Sequence, residues 1–170
     1  AAAPSVLRGQ SVPSKIKVAL IGCGGRGTGA LGQFIAACKI LGAEAEVVAL
    51  ADAFEDRAKR LNETYKLPAT KVFVGYDAYL KVMSTDCAFV LMATPPAFRP
   101  VHFAAAVAAG KHCFVEKPVA VDPVGARAII ATGEEAKKKG LAVVAGTQRR
   151  HDASYMKNKA LIDAGAIGAL

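Results

Sequence analysis

Six short apolar runs recur along this chain, each followed by a longer segment whose apolar residues fall at helical spacing. The runs are Lys15 to Ile21, Val47 to Ala51, Lys71 to Val74, Cys87 to Ala93, His112 to Val115 and Leu141 to Ala145. The spacing between them predicts helices over Gly27 to Leu41, Glu55 to Tyr65, Tyr76 to Met83 and Val101 to Ala109. A fifth helix is expected from the N-cap Asp122 and Pro123 to Lys139, and another begins in the segment from Asp152 to Leu170. Near-continuous apolar strands, rather than alternating ones, belong to a parallel sheet covered on both faces. Right-handed crossovers then give an α/β fold, a doubly wound parallel sheet of six strands with helices on both faces. Ligand is expected at the carboxyl ends of those strands.

Composition narrows the field. A chain of 170 residues suits one domain, and 53% apolar residues supply a sizeable core. No apolar run approaches the roughly 18 residues of a membrane span. The absence of Trp and an aromatic content of 6% argue against sandwich-like cores. The formal charge of +8 suits nucleic acid or a phosphate-bearing ligand. The densest basic runs, Lys137 to Lys139 and Arg149-Arg150, have no interleaved aromatics, which ranks nucleic acid last. Cys23, Cys38, Cys87 and Cys113 lack metal-ligand or disulfide-framework spacing and read as buried thiols, so no metal site is expected. Residues 1–14 read as a flexible leader, either the trailing end of a bacterial signal peptide or an ordinary ragged terminus. The first reading implies a periplasmic protein and the second a cytoplasmic one.

Gly22-Cys23-Gly24-Gly25-Arg26-Gly27 is a GxGxxG between a predicted strand and a predicted helix. Gly22 permits the tight turn, Gly24 lets the backbone approach a pyrophosphate, and Gly27 lets the helix pack closely on the sheet. Amides at the helix start then face the phosphates. Arg26 either adds charge there or is simply solvated. Asp52 ends the next strand, where a carboxylate accepts from both ribose hydroxyls of adenosine and repels a 2′-phosphate. NAD is therefore favoured over NADP, although Arg57, Lys59 and Arg60 follow closely. The competing reading of Asp52 is a plain N-cap.

Thr94-Pro95-Pro96 ends the fourth strand, where strand order should reverse and a crevice open. Glu116-Lys117-Pro118 follows the fifth strand on the same rim. A lysine there either forms a surface pair with the neighbouring glutamate or stabilises charge developing on a substrate oxygen during hydride transfer, and the following proline permits a cis bond aiming it into the cleft.

These motifs in this order, together with Ala109-Gly110-Lys111-His112, Gly146-Thr147-Gln148-Arg149-Arg150 and Ile162-Asp163-Ala164-Gly165-Ala166-Ile167-Gly168, resemble the Gfo/Idh/MocA oxidoreductases from Lys15 onward. The resemblance implies a Rossmann domain over residues 15–150, with 151–170 opening a second, substrate and oligomerisation domain that the chain ends within. It implies Lys117 as the catalytic-site lysine. It places Gly22, Gly24, Gly25, Arg26 and Gly27 against the cofactor, with Asp52, Thr94, Pro95, Pro96, Glu116 and Lys117, and Gln148 near the nicotinamide ribose.

The implied activity is hydride transfer between NAD(P) and a sugar, cyclitol or polyol, in a full-length homo-oligomer, with this portion alone inactive. Alternatives are an NAD-retaining glycosidase of the same family or a non-catalytic dinucleotide-binding module. The sequence departs from the family at Pro96, where an asparagine is common, and at Arg99, where a histidine is. Arg99 is therefore expected to face an acidic or hydroxylated ligand, and His102 to lie on a helix surface.

Overall fold

The computed structural model describes residues 13–168, so the leader expected over 1–14 lies almost wholly outside them. Its six strands are β1 (Lys15–Ile21), β2 (Glu44–Asp52), β3 (Val72–Val74), β4 (Phe89–Met92), β5 (His112–Val115) and β6 (Val143–Ala145). They form one parallel sheet in the order β3-β2-β1-β4-β5-β6. The order reverses between β1 and β4, which opens a crevice at their carboxyl ends.

Alternation along β1 explains why its sequence is apolar throughout. Val18 and Leu20 enter one core with Leu31, Leu50, Leu61 and Leu91. Ala19 and Ile21 enter the other with Val90, Met92, Phe103 and Val107. A strand buried on both faces cannot spend alternate positions on polar side chains. Helices α1 (Gly25–Ile40) and α2 (Glu55–Tyr65) cover the first face. Helices α3 (Ala78–Met83), α4 (Arg99–Ala108) and α5 (Pro123–Lys138) cover the second. All four cysteines are buried and free, as expected. Asp122 caps α5 by accepting from the Gly125 amide at 2.6 Å.

Several boundaries differ from the sequence-based ones. Strand β2 starts at Glu44 because Lys15 and Glu44 pair across the ladder, extending it beyond its apolar stretch. Helix α4 begins at Arg99, since Pro96–Phe98 form a 3-10 turn leading into it and Pro100 sits in the first turn, where no amide is needed. Edge strand β6 and helix α6 (Ala153–Asp163) leave Val143, Val144, Met156 and Leu161 exposed, unlike the covered central strands. Among the described residues no helix is long and apolar enough to cross a membrane.

Two glycines of α1 separate packing from propensity. A Cβ at Gly27 would stand 1.8 Å from the Gly22 carbonyl oxygen, whereas one at Gly32 would meet nothing within 4 Å. We expect Gly27→Ala to lower unfolding free energy by about 3 kcal/mol, a backbone clash that no rotamer relieves. Gly32→Ala should raise it by roughly 0.5–1 kcal/mol through reduced chain entropy. Urea melts of the two variants against the parent chain measure both.

Candidate functional site

The turn from β1 into α1 sets the floor of the site. Gly22 has φ +97°, and a Cβ there would lie 2.8 Å from Ala93 C and Thr94 N at the end of β4. The chain thus crosses the crevice mouth with no space for a side chain. Gly24 is the N-cap of α1, with no side chain to cap it and no acidic residue in the first turn. The first-turn amides have no intrahelical partner, and the helix dipole makes that end attractive to an anion. Cβ atoms at Gly24 and Gly25 would meet open space, so a ligand can approach the backbone closely.

Asp52 is buried at the carboxyl end of β2. Its Oδ2 accepts from the Cys23 amide at 2.7 Å and its Oδ1 from the Phe54 amide at 3.0 Å. The N-cap of α2 is Phe54, so the N-cap reading of Asp52 is incorrect. Each carboxylate oxygen keeps acceptor capacity beyond those bonds. Burial, with the Asp52 charge adding to it, pushes the neighbouring Cys23 thiol up to about 12, leaving it protonated and inert.

A cavity of about 290 Å³ opens beside Asp52 and brings together Gly22, Gly24, Asp52, Thr94 and Pro95 from the expected set. It also includes Arg57, Tyr76, Phe98 and His102, which sequence reasoning left out of the site. Arg57 is exposed, and its guanidinium lies 4.8 Å over the Phe54 ring. Lys59 does stay on the surface, paired with Glu55 at 2.8 Å. Helical spacing signalled α2 but not which turn would face the crevice.

A second cavity, of about 530 Å³, brings Lys117 together with Thr147, Gln148, Arg149 and Arg150. Lys117 and Gln148, 31 positions apart, meet because β6 pairs beside β5. Lys117 is exposed, and the Lys117–Pro118 bond is cis. Glu116 points the other way and is buried, its Oε1 accepting from Arg26 Nε at 2.6 Å. Arg26 also donates to Gln33 at 3.0 Å, so part of its hydrogen-bonding capacity is committed within the protein. Gly146 packs against the Glu116 carboxylate, where a Cβ would stand 2.8 Å away. Gly25, Arg26, Gly27, Pro96 and Glu116 line neither cavity; Pro96 begins the 3-10 turn.

Two expectations are corrected. Arg99 faces no ligand: it is buried, and its Nη1 donates to the Glu116 carbonyl at 2.6 Å and to the Pro118 carbonyl. His102 is buried rather than on a helix surface, because α4 turns this face toward Thr94 and Tyr79. Its Nδ1 lies 3.2 Å from Thr94 Oγ1, its ring packs 4.3 Å from Tyr79, and Phe98 stacks on it at 6.1 Å.

Burial lowers the His102 pKa from 6.5 to about 4. The unfolded chain therefore binds this proton more tightly than the folded one. The stabilisation is complete above pH 6.5 and is lost as pH falls toward 4, by on the order of 3 kcal/mol. In paired denaturant melts across that window, the difference between the parent chain and His102→Gln should carry this slope.

Comparison with known proteins agrees with the geometry. An inositol 2-dehydrogenase from Agrobacterium fabrum is 37% identical over 145 residues, 84% of this chain and 41% of that protein. The chain thus spans less than half the length of the curated relatives it matches. A scyllo-inositol dehydrogenase from Lactobacillus casei, solved with NAD(H) and scyllo-inositol, superposes with a TM-score of 0.68 at 26% identity, over 91% of this chain and 42% of its own. A 3-ketoreductase from Actinomadura kijaniata, in complex with NADP, superposes with a TM-score of 0.71 at 27% identity, over 91% and 45%. The model of one family, an oxidoreductase family with an NAD-binding Rossmann fold, matches residues 16–146. With the GxGxxG turn, the reversing parallel sheet and the Glu116-Lys117-Pro118 rim all in place, the chain belongs to the Gfo/Idh/MocA oxidoreductases.

Proposed function

We propose that this chain is the cofactor-binding part of an NAD-dependent dehydrogenase acting on a CH–OH group of a cyclitol, sugar or related polyol. The observation that carries the reading is the open, side-chain-free N-terminus of α1 beside the buried Asp52 carboxylate. These residues fit a dinucleotide: amides for a pyrophosphate, a carboxylate for ribose hydroxyls, and an apolar cavity beside it. The inositol dehydrogenases among the relatives support the substrate class. Asp52 supports NAD over NADP through its charge, with Arg57 on the cavity wall as the opposing feature.

When bound, nicotinamide supplies the hydride acceptor or donor. Lys117 Nζ donates a hydrogen bond to the reacting oxygen and stabilises the negative charge that develops there. Gln148 shares its cavity and orients the neighbouring ribose. Residues 151–170 open a further domain that completes the substrate site and carries homo-oligomer contacts; the exposed apolar residues of β6 and α6 support this.

Calorimetric titration tests the cofactor assignment. NADH should bind more tightly than NADPH, and Asp52→Ala should weaken NADH and shrink the preference by about tenfold, as for a lost charge-assisted bond near 1.4 kcal/mol. Equal binding of both nucleotides before and after substitution would overturn the role of Asp52. In the full-length enzyme, Lys117→Met should cut kcat by roughly a hundredfold or more while NADH affinity stays near that of the parent. An unchanged kcat would remove Lys117 from the chemistry.

A further inference from the structure

The Lys117 ammonium makes no ion pair and no side-chain hydrogen bond among the described residues. Its side chain is exposed, so its reach into the second cavity is set by the backbone that carries it. That backbone is gripped from α4. Arg99 Nη1 carries two hydrogens, and the carbonyls they meet belong to Glu116 and Pro118, the residues on either side of Lys117. One nitrogen therefore holds the main chain on both sides of the lysine, at the Glu116–Lys117 and Pro118–Val119 peptides.

The Glu116 side chain is held independently, by Arg26 at 2.6 Å and by the close packing of Gly146. Arg99 acts on the loop's main chain and Arg26 on its side chain. A buried guanidinium is costly, and here burial pulls its pKa below the usual arginine value while the nearby Glu116 charge opposes that. An apolar side chain of similar volume would fill this space without burying a charge. It would not bridge two carbonyls.

We propose that Arg99 is a positioning residue that fixes the Glu116-Lys117-Pro118 backbone and so aims Lys117 at the reacting oxygen. The assignment rests on Lys117 being the catalytic-site lysine, and the test separates the two. Arg99→Met removes both donors at similar volume. Arg99→Lys keeps a single cationic nitrogen able to meet both carbonyls.

Two readouts are taken on the chain itself: amide hydrogen exchange over residues 116–121, and acetylation of Lys117 by an N-hydroxysuccinimide ester with and without saturating NADH, followed by mass spectrometry. Arg99→Met should speed exchange over 116–121 by about tenfold or more while β1 and β4 stay protected. NADH should slow Lys117 acetylation in the parent chain and in Arg99→Lys, and should fail to do so in Arg99→Met. Parent-like exchange and protection in Arg99→Met would overturn the proposal. Absence of NADH protection in the parent would instead sink the Lys117 reading, with the exchange readout still reporting on the grip. If Arg99→Met does not fold, Arg99→Lys decides: retention of both readouts supports the bridge, and loss of either in a folded protein overturns it.

Discussion

The contact between the Gly22 carbonyl and Gly27, where not even a methyl group can be inserted, draws the start of α1 onto the carboxyl end of β1. With α1 that close, its first-turn amides open into the crevice beside β4 instead of over the protein's flank. The same turn presents the Cys23 amide to Asp52, tying the glycine loop to the end of β2. Backbone meets backbone here, and no rotamer change can relieve an added atom. The tolerance of the site is therefore set by glycine, while the surrounding core tolerates exchange of one apolar side chain for another.

Two buried carboxylates stand on the same rim and are satisfied in different ways. Asp52 uses main-chain amides, which fix its oxygens yet leave acceptor capacity for a polar ligand. Glu116 uses a cation, Arg26, and is closed in by Gly146. A carboxylate taken out of water without such partners costs several kcal/mol. The first arrangement suits recognition and the second suits anchoring. The basic excess of the chain thus has a specific local meaning: Arg99 is spent inside the protein, Arg26 at the surface is committed to the buried Glu116, and Arg149 and Arg150 stay exposed on the second cavity.

The strands, their helices and the glycine turn were legible because each has a local cause. Apolar runs mark doubly covered strands, Asp122 with Pro123 marks a helix start, and the GxGxxG after a strand marks the phosphate end of the fold. Arg99 and His102 were misplaced because their surroundings come from residues distant in sequence. Arg99 bonds carbonyls 17 and 19 positions on, and His102 meets the end of β4 and a ring of α3. Both lie on the one face of α4 that is buried, with Phe103, Ala106 and Val107.

What the sequence by itself determined is the alternation of strand and helix, the parallel sheet that follows from it, and the residue types offered at its carboxyl edge. Periodicity, capping and the conformational freedom of glycine act over a few residues, so they can be read along the chain. Only the tertiary structure decided which charges are paired, which cavity Lys117 shares with Gln148, and that Arg57 and His102 belong to the site wall. Burial and hydrogen bonding depend on distances between segments brought together by folding, and those distances have no counterpart in the spacing of residues along a strand or a helix.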